Sequence, residues 1–412
     1  MAATPREALD ELWQTLRDHY PMLEYAGAVG DQWAEELRPA VHAASDLAAA
    51  YPLLERLVLR LDDYHTRLEY PGKAGPRPQA PLRLGWIEDG LTVLEGDASA
   101  GRPAAGEVVL RLDGVPATTA MRAALSESHG PTPAARRRDA CRRLVEGDGG
   151  SPLDVETESG HYRLTRPPLP PTDSHPPAPT LTWPADGVAC LRVPAWGGRG
   201  TDAFVAHLDA LLEGARDSPA LVVDVRGNGG GSDALADACT GRFARAPVVS
   251  SISFWRRAGT NLFERSVEIC TPRGPWRYGG RFAVLLDEGC ASACEHFVSG
   301  MEAAGACLVG TPTRGACGWM ERIPLRSGAT LVCARSFPLH GHTPSPLTGM
   351  APHYLSPPTR ADLRAGLDTA LRTAADWLRS DRPRPAAHGL TWPEPGPVTL
   401  EQDRTGNGRD FA

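Results

Sequence analysis

Two junctions limit what this chain can fold into. Residues 220–233, "ALVVDVRGNGGGSD", and residues 282–295, "FAVLLDEGCASACE", each drive an unbroken apolar run into a cluster of very small residues. Each then continues into a helical pattern. A strand that is apolar at every position is buried on both faces, which is the habit of parallel sheets covered by helices. The same alternation surrounds both junctions: "GVACLRVPAW" reads as a strand, "DAFVAHLDALLEGARD" as a helix, and "SACEHFVSGMEAAG" as another helix. An α/β core with a mostly parallel sheet is therefore expected over residues 181–378. Its last element, "RADLRAGLDTALRTAADWLRS", reads as one helix.

The rest of the chain is organised differently. Residues 1–75 carry apolar residues at three- and four-residue steps and are expected to form a helical domain. "YPGKAGPRPQAP" breaks that pattern. Residues 80–166 turn to short strands around one helical segment, "PAARRRDACRRLVEG", and read as a strand-rich module. The proline-rich stretch 167–180 is a linker, and residues 379–412 form a tail without periodicity.

Charge and cysteine usage exclude several classes of function. Net charge is −7 over 412 residues with no basic stripe, which argues against nucleic acid as a partner. No run approaches the length of a membrane span, and the acidic N-terminus lacks the pattern of a signal peptide. Nine cysteines without framework spacing suit reduced thiols, so a cytoplasmic location is expected. Cys290 and Cys294 have no second pair at ligand spacing, and His340 and His342 in "LHGHTP" read as a solvated loop, so neither metal nor cofactor is expected.

The chemistry concentrates at the two junctions. Asn228 and the glycines that follow it suit a phosphate cradle, an oxyanion hole or a plain tight turn. They match neither a Walker loop nor a dinucleotide fingerprint. Ser292 falls at the first turn of a helix, where N–H groups favour developing negative charge, and it reads either as a nucleophile or as an N-cap.

Together the two junctions resemble the serine peptidase family of the C-terminal processing proteases and the tricorn core. In that family a strand ends in Asp-x-Arg-x-Asn-x-Gly-Gly, and a later strand ends in Ser-Ala-x-Glu with the serine as nucleophile. Ser292, Ala293, Cys294 and Glu295 match the second motif. "GEVVLRLDGVPA" resembles the family's PDZ-like module, "GMAPHYLSPPTRADLRAGLDTAL" its closing segment, and "LVLRLDDYHTRLEYP" the Asp-x-His-Thr segment of the tricorn-like branch. The resemblance implies a multidomain α/β protein: a helical domain, a PDZ-like β-rich module and a crotonase-like core.

It also implies roles for particular residues. No lysine follows Lys73, which excludes the Ser-Lys dyad of the processing proteases. His65 matches the histidine of the tricorn-like branch, making it the expected general base for Ser292. Backbone N–H groups of Gly230 or Gly231 and of Ala293 are the expected oxyanion donors, Glu295 supports the turn, and Arg226 ties the strand end. The family's orienting acid is absent, because "PSPLTGMAPHY" holds no carboxylate and His353 replaces the usual Asp. Tyr64, Asp62, Asp63 and Glu321 are the candidates to support His65 instead. The expected activity is cleavage of a peptide or protein through an acyl-enzyme, with oligomerisation open. Transfer or cyclisation on a dedicated precursor peptide, and a non-catalytic peptide-binding relative, are the alternatives.

Overall fold

The computed structural model describes residues 3–385 except 25, 29–30, 170–174, 199, 261, 317, 341–342 and 345–347, and it describes the side chains of 340, 343 and 344 no further. The readings placed on most of the tail, on His342 and on the side chain of His340 lie outside the described residues.

The N-terminal unit opens with α1 (Pro5–His19), α2 (Gln32–His42) and α3 (Leu47–Leu59). Thr4 and Glu7 form a reciprocal capping box at α1, and the Asp46 side chain accepts the Ala49 N–H at α3. These caps satisfy N–H groups that have no partner inside a helix. The apolar stripes bury Leu9, Leu12, Leu16, Leu54 and Leu57.

The chain then forms β1 (Arg67–Glu69) and the hairpin of β2 (Arg83–Ile87) and β3 (Gly90–Glu95). β4 (Val109–Leu112), β5 (Val115–Pro116), β6 (Pro152–Thr157) and β7 (His161–Thr165) make an antiparallel sheet in the order β5-β4-β6-β7. α4 (Ala117–Ser126) and α5 (Pro133–Arg143) complete this module around Val93, Val109, Leu153 and Val155.

The core begins with β8 (Thr180–Ala185), β9 (Val188–Arg192), α6 (Thr201–Gly214), β10 (Ala220–Asp224) and α7 (Asp233–Thr240). A long hairpin of β11 (Val248–Arg256) and β12 (Phe263–Cys270) follows. Next come β13 (Arg281–Leu286), α8 (Ala293–Ala304) and β14 (Cys307–Gly310). The chain continues through β15 (Met320–Pro324), β16 (Thr330–Ala334), β17 (Ser336–His340), β18 (Thr343–Pro344) and β19 (Tyr354–Leu355). Two helices close the fold, α9 (Arg360–Arg364) and α10 (Thr369–Arg379).

The main sheet runs β19-β14-β13-β10-β9-β8, parallel except for β8 at one edge. Leu221 and Val223 of β10 face one cluster with Phe204, Phe297 and Met301, whereas Ala220 and Val222 face another with Ala374 and Trp377. This is the two-sided burial that the apolar runs imply. Both expected strand-to-helix junctions leave the same edge of adjacent, parallel β10 and β13.

Two expectations need correction. The single closing helix is two, because Gly366 takes φ +66° and Asp368 then caps α10 by accepting the Leu371 N–H. The helical domain is also not a separate body. β1 pairs with β16, and Leu331, Cys333 and Phe337 of β16 and β17 share one core with Leu12, Leu16 and Leu54. Such long-range packing has no local sequence signature.

Replacing the fully buried Leu331 therefore tests whether helices and core fold together. We expect Leu331→Ala to cost about 2–5 kcal/mol. Urea denaturation should show one shifted transition, and an unshifted transition would show that the N-terminal unit folds independently.

Candidate active site

The geometry around Ser292 starts with its backbone. Ser292 takes φ 58° and ψ −128°, a left-handed conformation that costs a residue with a Cβ roughly 1–3 kcal/mol. Its side chain makes no capping bond to α8, so the N-cap reading does not account for it. The Ser292 N–H donates to the Ala316 carbonyl at 2.6 Å, which pins the turn from the other side.

Buried polar groups brace this turn. The Glu295 carboxylate is fully buried and accepts from the Gly315 N–H at 2.9 Å, the Ala316 N–H at 2.7 Å and the Thr313 hydroxyl. It thus supports the turn from within, as the sequence suggested. Thr313 in turn accepts the Met350 N–H through its hydroxyl oxygen, linking the closing segment to the brace. Asn228, also fully buried, donates from Nδ2 to the Val193 carbonyl, accepts the Gly230 N–H through Oδ1, and accepts the Ala291 N–H through its backbone carbonyl. Asp287 accepts the N–H groups of Gly227 and Gly289, so the two junctions are stitched together.

These contacts sort the expected oxyanion donors. Gly230 is corrected: its N–H is committed to Asn228, although a Cβ there would lie 2.8 Å from the Ser292 Cβ. The N–H groups of Gly231 and Ala293 make no hydrogen bond among the described residues, and both residues line a cavity of about 290 Å³ with Ser292. A Cβ at Gly231 would meet the Trp196 carbonyl oxygen at 2.0 Å, so only glycine fits.

His65 is buried at 4 % exposure, with Nδ1 unpartnered among the described residues. Burial lowers its pKa, against the carboxylate of Asp63, a hydrogen bond to the Gly318 backbone and the field of Asp233, which all raise it. Gly318, whose backbone bonds the ring, and Asp233, whose field reaches it, both line the cavity that holds Ser292. The bond to Gly318 leaves Nδ1 as the ring nitrogen without a partner among the described residues.

The candidates to support His65 are distributed elsewhere. Asp63 accepts the His65 backbone N–H and the Thr66 hydroxyl, so it shapes the turn that carries the histidine. Tyr64 is corrected: it is half exposed, and the Arg314 guanidinium lies 4.3 Å from its ring centroid. Glu321 is corrected as well, since it pairs with Arg335. Asp62 accepts the Gly130 N–H and pairs with Arg136, tying the N-terminal unit to the strand-rich module. Arg226 chelates Asp224 and Asp368 at the strand end, as expected. His353 accepts the Leu308 N–H through Nδ1, a structural position at the start of β14.

Sequence reasoning missed a second cluster. His296, one turn after Ser292 on α8, lies 2.9 Å from Asp237 and 3.2 Å from Glu268. Burial would lower its pKa, but the two carboxylates hold it up to about 10, so it is an imidazolium and no base. Asp233 stands at the first position of α7, and desolvation raises its pKa. The Gly-Gly-Gly-Ser-Asp string carried a hint of Asp233, whereas Glu268 reaches the site only through the β11–β12 hairpin.

Two measurements check this geometry. Glu295→Gln puts an N–H donor against backbone N–H groups, so a stability loss of about 1–3 kcal/mol and slower reaction of Ser292 with an acylating probe are expected. For His296, a folded pKa raised above 6.5 means stability fully present below that value and lost as pH rises towards about 10. Denaturation curves should therefore weaken with pH across this window, and His296→Gln should flatten the slope.

Comparison with known proteins agrees with this architecture. No curated protein matches the chain by sequence. Mature CPAF has a similar structure, with TM-score 0.69 at 16% identity, covering 91% of this chain and 96% of that one. A peptidase structure from Parabacteroides merdae gives TM-score 0.60 at 16% identity, covering 92% and 98%. The photosystem II D1 C-terminal processing protease gives 0.53 at 18% identity, covering 92% and 98%. Such identities speak for the fold alone. Residues 187–354, which include both junctions and Ser292, match the model of peptidase family S41. The core over these residues is thus that of an S41-type peptidase, a serine-type hydrolase acting on peptides or proteins.

Proposed function

We propose that Ser292 forms the acyl-enzyme and that His65 serves as its general base. The observation that carries this reading is the left-handed backbone of Ser292, which no capping bond explains and which buried Glu295 braces. As Oγ attacks the substrate carbonyl carbon, its proton passes to the imidazole, and the N–H groups of Gly231 and Ala293 receive the oxyanion. Collapse expels the amine with the proton from His65, and water then repeats the sequence to free the acid. The lowered pKa of His65 keeps the ring neutral and able to accept that proton.

Substrate reaches Ser292 from a cleft of about 1000 Å³ that is lined by β2 of the strand-rich module and by Gly229 and Ala291 of the core. The module acts in the manner of a PDZ domain, docking an extended peptide beside β2. Arg138 pairs with Asp287, and Arg314 pairs with Asp139, so this module is ion-paired to the loops that carry the junctions.

A fluorophosphonate probe tests the reading. Labelling of the wild type that is abolished in Ser292→Ala and lost in His65→Ala is expected. Undiminished labelling of His65→Ala would place the base elsewhere. The acid limb of kcat/KM should fall with a midpoint below 6.5, since the base is active only when neutral and its pKa is lowered.

A further inference from the structure

The cavity beside Ser292 is lined by hydroxyl, carboxylate and indole groups. β11 alternates its side chains, so Ser251, Ser253 and Trp255 share one sheet face, while Phe254 turns to the opposite face and packs on Phe337. Cross-strand partners point the same way, which puts Glu268 beside Ser251 and Glu264 beside Trp255. Ser299 of α8 adds another hydroxyl, and Trp319 approaches Trp255 with ring centroids 6.0 Å apart. The cavity therefore has hydroxyl-lined walls and an indole pair.

Its charge is unbalanced. Asp233, Asp237 and Glu268 surround a single imidazolium, His296, which is already bonded to Asp237 and Glu268. Asp233 makes no hydrogen bond or ion pair among the described residues, yet it stands exposed in the cavity two residues after the Gly231 N–H. The nearby arginines point away: Arg256 donates to the carbonyls of Tyr20 and Thr260, Arg335 pairs with Glu321, and Arg265 opposes Phe254 on the far face. An unpaired carboxylate crowded by like charges is relieved by a cation. Indole faces reward the same cation.

We propose that this cavity is the subsite for a lysine or arginine side chain, borne by the residue whose carbonyl Ser292 attacks, with Asp233 as the selecting group and Glu268 as the second carboxylate. The assignment rests on the peptidase reading of Ser292, because that reading sets the cavity next to the scissile bond. The hydroxyls and indoles take the aliphatic stem, and the carboxylates take the charged head.

Two experiments separate the subsite from the catalytic reading. In the first, wild-type protein digests a mixed peptide library and cleavage positions are read by mass spectrometry. Cleavage after Lys and Arg is expected, with kcat/KM for an Arg substrate about tenfold or more above its Leu analogue. In Asp233→Asn that ratio should collapse towards unity, and Asp233→Glu should restore part of it. Cleavage after apolar residues by a protein that the probe labels would overturn the subsite and leave the catalytic reading standing. In the second, benzamidine binding to Ser292→Ala is measured by calorimetry. Binding that Asp233→Asn weakens at least about tenfold supports the subsite even if wild type takes no label, and in that case only the catalytic reading falls. Absence of benzamidine binding from a folded Ser292→Ala protein overturns the subsite.

Discussion

The structure depends on holding one serine in a backbone conformation that it would not adopt by itself. Left-handed φ at Ser292 is unfavourable, and it persists because the surroundings leave no alternative. The Glu295 carboxylate gathers the N–H groups of Gly315 and Ala316, and Ala316 returns its carbonyl to the Ser292 N–H. Each of these groups is buried, so breaking the set would strand polar atoms away from water. The strain and the brace are one device, and it points the hydroxyl out of the helix rather than into it.

The same logic extends to the glycine junction. Asn228 satisfies its buried side-chain amide on Val193 and Gly230 and accepts the Ala291 N–H on its backbone carbonyl, so the two junctions cannot shift independently. It also decides which glycine is available: the N–H of Gly230 is occupied, leaving that of Gly231 towards the cavity. Gly231 must remain glycine because the Trp196 carbonyl lies where a Cβ would stand.

The proposed site draws on elements distant in sequence. His65 arrives from the N-terminal unit, fixed by Asp63 and by the packing of β1 on β16. The carboxylates of the proposed subsite arrive from α7 and from the β11–β12 hairpin. The cleft is completed by a module that bridges to the core through Arg138, Asp139 and Arg314, with Tyr64 stacked on the last of these. A cleft assembled in this way requires every part to be folded before chemistry is possible.

Local patterning alone determined the two apolar strands and the helices that follow them, and the family resemblance of the two junctions singled out Ser292 and Glu295. These depend on neighbours in the chain, where strand burial and helix starts leave direct marks. Only the tertiary structure decided that Gly231 rather than Gly230 offers its N–H, that Tyr64 serves Arg314, that Glu321 serves Arg335, and that the N-terminal helices share a core with β16. It also supplied the Asp233, Asp237, Glu268 and His296 cluster. Hydrogen-bond capacity and charge pairing are settled by whichever groups meet in space, and residues such as Gly230 and Asn228, or His296 and Glu268, meet only through long-range packing.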